Sequence, residues 1–158
     1  MADPVVRITT SSHFSSAHRL HNDARDPAWN RDVFGKCNNP HAHGHTYELE
    51  VTVEGPVDPA TGWILDFGVL KRIVAEKVVK KCDLKNLNSD VPFLRGVNPT
   101  AENIAVRIWD ELAGDVAPAR LVRIVLHETE RNKVVYTGPE PRGARGDRET
   151  PAIRSCAP

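Results

Sequence analysis

Residues 43–54 read His-Gly-His-Thr-Tyr-Glu-Leu-Glu-Val-Thr-Val-Glu. His43, His45, Tyr47, Leu49, Val51 and Val53 fall on one parity, and Thr46, Glu48, Glu50, Thr52 and Glu54 on the other. A period of two belongs to a β-strand with one buried and one wet face. The segment must therefore sit in a sheet whose core side begins with two imidazoles. Buried polar groups left unpaired are costly, so His43 and His45 need partners. A divalent metal is an efficient one, because neutral imidazole nitrogen is a zinc ligand.

The other segments build around this strand. Val5, Val6 and Ile8 open a β-prone stretch that predicts a strand running to about Leu20. Residues 21–42 lack periodicity and read as a long, functional loop. Pro56, Asp58, Pro59 and Gly62 mark a turn, and a short strand is expected over Trp63–Leu65. Asp66 caps a helix over 67–82, whose apolar stripe is Phe67, Leu70, Ile73, Val74 and Val78. Residues 83–98 read as a second loop. Thr100 caps a second helix with Ala101, Ile104, Ala105, Ile108 and Leu112 on one face, ended by Gly114. Strands over 121–129 and 133–137 flank Glu130-Arg131-Asn132 as a hairpin.

The order strand, strand, helix, helix, strand, strand predicts an α+β fold: a four-stranded antiparallel sheet with two helices on one face. Open sheet edges invite pairing, so assembly through strand edges is expected. Residues 1–138 make one domain, and the Pro-, Gly- and Arg-rich stretch 139–158 reads as a flexible tail.

Charge narrows the partners. Lys plus Arg and Asp plus Glu are 21 each, so no broad basic field exists for nucleic acid or an anionic membrane. No apolar run approaches a membrane span and no signal peptide is visible. Cys37, Cys82 and Cys156 are too few and too scattered for a disulfide framework, so a reduced, cytoplasmic protein is expected.

Six of the seven histidines lie within residues 13–45. His18, at the end of the first strand, is the choice for a third ligand beside His43 and His45; His13, His21 and His41 compete with it. No thiolate or carboxylate sits at zinc-finger spacing, which favours an open site over a closed structural one. Cys37 lies between Lys36 and the histidine pair, where a thiol can act as a base or nucleophile. Cys82 reads as core filler and Cys156 as an inert tail residue. Glu128 shares its strand parity with Val122, Ile124 and Leu126, and a carboxylate there can accept paired hydrogen bonds from an amidine-like ligand edge. Asp83 reads on its own as a turn residue.

Taken together, the motifs resemble one family. They are Phe14-Ser15-Ser16-Ala17-His18-Arg19-Leu20, Phe34-Gly35-Lys36-Cys37-Asn38-Asn39-Pro40 and His43-Gly44-His45, then Asp58-Pro59-Ala60-Thr61-Gly62 and Asp66-Phe67. Lys85-Asn86-Leu87, Pro99-Thr100-Ala101-Glu102-Asn103 and Glu128-Thr129 complete the set. In this order and spacing they resemble the 6-pyruvoyl-tetrahydropterin synthases and their relatives, the 6-carboxy-tetrahydropterin synthases. The resemblance implies the tunnelling fold, in which three subunits close a barrel through strand edges and two trimers stack into a homohexamer. It implies Zn2+ on His18, His43 and His45, catalysis by Cys37 with Asp83, and a pterin held between subunits by Glu128, Thr100 and Glu102. The implied reaction converts 7,8-dihydroneopterin triphosphate to 6-pyruvoyl-tetrahydropterin with elimination of triphosphate.

Two positions depart from the family pattern. Leu84 stands where a histidine usually follows the aspartate, so Asp83 lacks its proton-relay partner. His127 is a possible substitute, although strand alternation points it away from Glu128. Ala42 replaces the usual glycine. The alternatives are a 6-carboxy-tetrahydropterin synthase on the queuosine route, a variant that leaves a hydroxymethyl group, and a non-catalytic zinc- and pterin-binding protein silenced at Leu84.

Overall fold

The computed structural model describes residues 4–140. The expected tail lies outside them from residue 141 onward, and with it Cys156. β1 (Val5–His18) and β2 (His43–Pro56) pair antiparallel along their whole length. β4 (Arg120–His127) pairs with β2, and β5 (Lys133–Tyr136) with β4, both antiparallel. The expected four-stranded antiparallel sheet is corrected at one edge. A fifth strand, β3 (Lys85–Asn86), runs parallel to β1 at Ser16 and Ala17, giving a mixed sheet in the order β3-β1-β2-β4-β5. β3 is held by main-chain bonds to the β1 edge, Leu84 N–H to Ser15 O and Leu87 N–H to Ala17 O.

The helices differ from expectation in two places. The predicted 67–82 helix is present as α2 (Phe67–Val74), a π-helical turn (Ala75–Val79) and α3 (Lys80–Cys82). The long first loop contains α1 (Pro27–Phe34), followed by a 3-10 turn (Gly35–Asn38). Trp63–Leu65 is not a strand. Asp58 donates its N–H to Trp63 O, and its carboxylate takes the N–H groups of Ala60 and Thr61, so the chain turns instead. The helix predicted from Thr100 is α4 (Ala101–Leu112), and the Thr100 hydroxyl accepts from Asn103 N–H.

The core lies between one sheet face and α2, α3 and α4. Phe14, Tyr47, Leu49, Val51, Ile124 and Leu126 of the sheet meet Leu70, Val74, Val78, Ile104, Ile108 and Leu112 of the helices. The opposite sheet face is polar. Arg7 and Arg120 flank Glu54, Thr9 bonds Thr52 across the strands, and His127 lies 3.0 Å from Glu50. Burial on one face and charge on the other is what fixes register, since a slip of one residue would invert both. Among the described residues no helix is long and apolar enough to cross a membrane.

α1 is anchored by one buried amide. Asn30 is 0% exposed, and its Nδ2 donates to the carbonyls of Asn22, Arg25 and Asp26 while its Oδ1 accepts from Asn22 N–H. Asp26 adds the N-cap through Trp29 N–H. Asn30→Ala strands these main-chain groups in a buried pocket and is expected to cost about 2–4 kcal/mol of unfolding free energy. Chemical denaturation checks this; a loss below about 0.5 kcal/mol, the range of neutral surface changes, would show that the clamp is idle.

Candidate metal centre and its cleft

The β1–β2 register brings three imidazoles together. His18 stands directly opposite His43, and Ser16 opposite His45. His43 and His45 project from the same face of β2, and His18 shares the inward parity of Phe14 and Ser16 on β1. One nitrogen from each ring falls within 4.8 Å of the others. His18 Nε2 is 3.0 Å from His43 Nε2.

The orientation of His18 is set from behind. Its Nδ1 lies 2.8 Å from Pro99 O, an acceptor only, so Nδ1 carries the proton and donates. Nε2 then keeps its lone pair and faces the cluster. Tyr47 OH lies 3.3 Å from the same Nδ1. A carbonyl behind the distal nitrogen is the usual outer support of a metal-binding histidine. Burial, above all, pushes the His18 imidazole below its ordinary pKa, and the neighbouring His43 and His45 push the same way against the Pro99 bond. Burial and then His45 lower His43 too. Both effects favour the neutral rings that a metal requires. His43 Nδ1 is buried without a hydrogen-bond partner among the described residues, so its ring serves the cluster through Nε2 alone.

Glu128 completes the approach. It follows the last residue of β4, and its N–H bonds Asn132 O across the β4–β5 turn. Its Oε1 lies 3.7 Å from His18 Nε2 and 3.9 Å from His45 Nε2. Three imidazole nitrogens around one point, with a carboxylate beside them, form a setting that suits a divalent ion such as zinc.

Beside the cluster opens a cleft of about 870 Å3 whose wall includes Cys37 and His43. Cys37 sits in the 3-10 turn, and its carbonyl accepts from Leu20 N–H at 2.8 Å. Burial raises the Cys37 thiol above its ordinary pKa, and the Glu128 charge adds to the rise. Asn38 locks this turn, donating to Leu20 O at 2.7 Å and lying 2.9 Å from His21 Nδ1.

The remaining candidates occupy varied places. His13 and His41 are exposed, and His21 is committed to Asn38. Burial pushes the Cys82 thiol up to about 12, consistent with a core residue. Thr100 caps α4 directly after Pro99, whose carbonyl holds His18. Glu102 is exposed in the first turn of α4. Asp83 Oδ1 accepts Ser15 N–H at 2.8 Å on the β1 edge. No hydrogen bond or ion pair among the described residues joins Asp83 or Glu102 to Cys37 or the imidazoles. Leu84, at φ 56° and 83% exposed, borders a shallow depression with His45. His127 faces Glu50 on the opposite side of the sheet. Three contributors escaped the sequence reading. The Pro99 carbonyl carries no side-chain signal; Tyr47 shared the parity of His43 and His45; Asn38 lay inside the quoted Cys37 motif.

Comparison with known proteins finds similarity over most of the chain. A family model described as 6-pyruvoyl tetrahydropterin synthase matches residues 7–139. The human 6-pyruvoyl tetrahydrobiopterin synthase is 43% identical over 133 residues, covering 84% of this chain and 92% of that protein. The solved structure of Caenorhabditis elegans 6-pyruvoyl tetrahydropterin synthase superposes with a TM-score of 0.81 at 35% identity, covering 88% of this chain and all of that one. A dihydroneopterin monophosphate aldolase from Pyrococcus furiosus is 46% identical over 83 residues, half of this chain and 66% of that protein.

Proposed function

Since the chain belongs to the 6-pyruvoyl tetrahydropterin synthase family, we propose that it converts 7,8-dihydroneopterin triphosphate to 6-pyruvoyl-tetrahydropterin, eliminating triphosphate, with zinc held by His18, His43 and His45. The relatives named as synthases support an enzyme of tetrahydrobiopterin synthesis in the broad sense. The observation that carries the finer reading is the convergence of three imidazole nitrogens beside a half-buried thiol and an inward carboxylate.

Zinc, when bound, polarises substrate oxygens and acidifies the adjacent bonds. The chain's own residues do the rest. Pro99 O and Tyr47 fix the His18 ring in one tautomer. Cys37, once ionised, takes a proton from the substrate side chain as a general base. Glu128 accepts hydrogen bonds from the flat amidine-like pterin edge and holds it in register, with Thr100 and Glu102 lining the same pocket. Asp83 is tied by its own chain to the β1 edge away from Cys37, so a second proton transfer through it acts on a neighbouring subunit's site, its carboxyl donating a proton taken up from water and not the one held by Cys37.

That sharing needs an oligomer. The outer edge of β1 lacks a strand partner over Val5–Phe14 among the described residues, and so does the outer edge of β5. These edges join three chains into a closed barrel, and two trimers make the hexamer. Native mass spectrometry is expected to give six times the 17.5 kDa chain; a lone chain at micromolar concentration overturns this assembly.

Leu84 supports a second reading. An exposed aliphatic side chain beside His45 offers no proton, so the chain binds pterin without turning it over, or makes a different product. Mass spectrometry of the product decides. A pyruvoyl pterin with free triphosphate is expected, and Leu84→His is expected to raise kcat about tenfold or more, within the span of general acid–base catalysis. A carboxy or hydroxymethyl pterin moves the chain to the corresponding branch. Unchanged substrate in both proteins removes the synthase reading.

A further inference from the structure

The turn that carries Cys37 does not hold its own position. It spans Gly35–Asn38, four residues, with no side-chain cap among the described residues. A single 3-10 turn has poor hydrogen-bond geometry, so its place depends on bonds to the rest of the chain. Three such bonds run to Arg19 and Leu20, directly after His18. Leu20 N–H donates to Cys37 O at 2.8 Å, Asn38 Nδ2 to Leu20 O at 2.7 Å, and Arg19 Nε to Asn38 O at 3.1 Å. The strap 19–21 is itself braced from behind. Asn88 exchanges two bonds with the main chain of Arg19, and Asn98 Oδ1 accepts His21 N–H at 3.2 Å.

A fourth bond comes from a side chain. Asn38 is 7% exposed, and its Nδ2 also lies 2.9 Å from His21 Nδ1. The Leu20 carbonyl can only accept, so the nitrogen end of the Asn38 amide must face it. That nitrogen carries two hydrogens and offers no acceptor. His21 Nδ1 therefore accepts, and the His21 ring carries its proton on Nε2, which lies 3.4 Å from Asp23 Oδ1. His18 has the opposite tautomer, with its proton on Nδ1 facing Pro99 O. Two histidines three residues apart thus do different work. One turns a lone pair toward the metal centre, and the other turns one toward an amide.

We propose that His21 is a positioning residue for Cys37: its Nδ1 lone pair fixes the Asn38 amide, and the amide holds the turn that carries the thiol. The inference rests on the reading above in which Cys37 is the base. Without the acceptor, an Asn38 amide hydrogen is left unpaired in a buried place, a cost the turn relieves by opening. An open turn slows the reaction, because a group displaced by about 1 Å can lose about a hundredfold in rate. It also uncovers the thiol. Burial is the main cause holding the Cys37 thiol above its ordinary pKa, so a less buried thiol ionises more readily. The two effects have opposite signs, slower turnover and faster alkylation.

Iodoacetamide labelling of the full-length, zinc-loaded protein reads the turn without substrate. Mass spectrometry of the Cys37 peptide separates it from Cys82 and Cys156. His21→Ala is expected to label at least about twofold faster than wild type, and to lose about ten- to a hundredfold in kcat. His21→Asn is expected to restore both, since the asparagine Oδ1 takes the place of Nδ1. His21→Gln is expected to restore neither, since its longer side chain carries the amide to the place of Nε2. Circular dichroism and zinc content at the wild-type level separate a loosened turn from a lost fold. If His21→Ala does not fold, ring-nitrogen NMR of isotope-labelled wild type decides: an unprotonated His21 Nδ1 is expected, and a protonated one overturns the proposal. A wild-type labelling rate in His21→Ala, or equal behaviour of His21→Asn and His21→Gln, overturns it as well. Faster labelling with unchanged kcat upholds the hold on the turn and removes Cys37 as the base, so the two readings fall separately.

Discussion

His18→Ala is expected to lower zinc affinity by more than about a hundredfold, exceeding the 10- to 100-fold typical of outer-shell changes, because it removes a ligand outright. His18 is fully buried, with Nδ1 on the Pro99 carbonyl at 2.8 Å and Nε2 at 3.0 Å from His43 Nε2. Its removal leaves two imidazoles and strands the Pro99 carbonyl. His13→Ala, on an exposed site of the same strand, is the control and should bind zinc as the wild type does. Competition with a chromophoric chelator measures both. Acid should release the metal from the wild type as well. Burial keeps the His18 and His43 rings neutral to lower pH than ordinary histidine, so retention should extend below the usual histidine range before protons win. Wild-type zinc affinity in His18→Ala would remove the three-histidine centre.

The centre was legible because it is a consequence of strand parity. His43 and His45 had to face the core once Tyr47, Leu49 and Val51 did, and His18 had to face it once β1 paired in register. Glu128 followed from the parity of Ile124 and Leu126, although a bulge near Val53 breaks that parity at Val122. What escaped reading has no periodic signal to read. α1 is eight residues long and depends on the Asn30 clamp, a set of bonds to carbonyls that side-chain patterns do not reveal. Its start was nonetheless written in Asp26 and Pro27, a cap followed by proline. β3 is two residues long, too short for alternation to appear, and exists only because the β1 edge accepts it. The π-helical turn at Ala75–Val79 keeps the apolar stripe of a regular helix, so composition alone cannot separate the two.

Cys37→Ala is expected to lower kcat by about two to four orders of magnitude, the usual worth of a positioned base, while zinc content stays at the wild-type level. The two readouts separate because Cys37 lies on the cleft wall, outside the group of converging ligand atoms. The pH profile gives the sharper test. Burial raises the Cys37 thiol and the Glu128 charge raises it further, so less thiolate is present at neutral pH than an ordinary cysteine would supply. If the thiolate is the base, kcat/KM must climb as pH rises through and beyond the ordinary thiol range. Glu128→Gln deletes the second cause, so the thiolate forms at lower pH and iodoacetamide labels Cys37 faster at neutral pH. The same substitution also removes the carboxylate that holds the pterin, so its KM rises while the alkylation limb moves to lower pH. A base displaced in pH and a ligand lost from the pocket are thus read in one variant by two independent measurements. Wild-type kcat in Cys37→Ala would take the thiol out of the proton transfer.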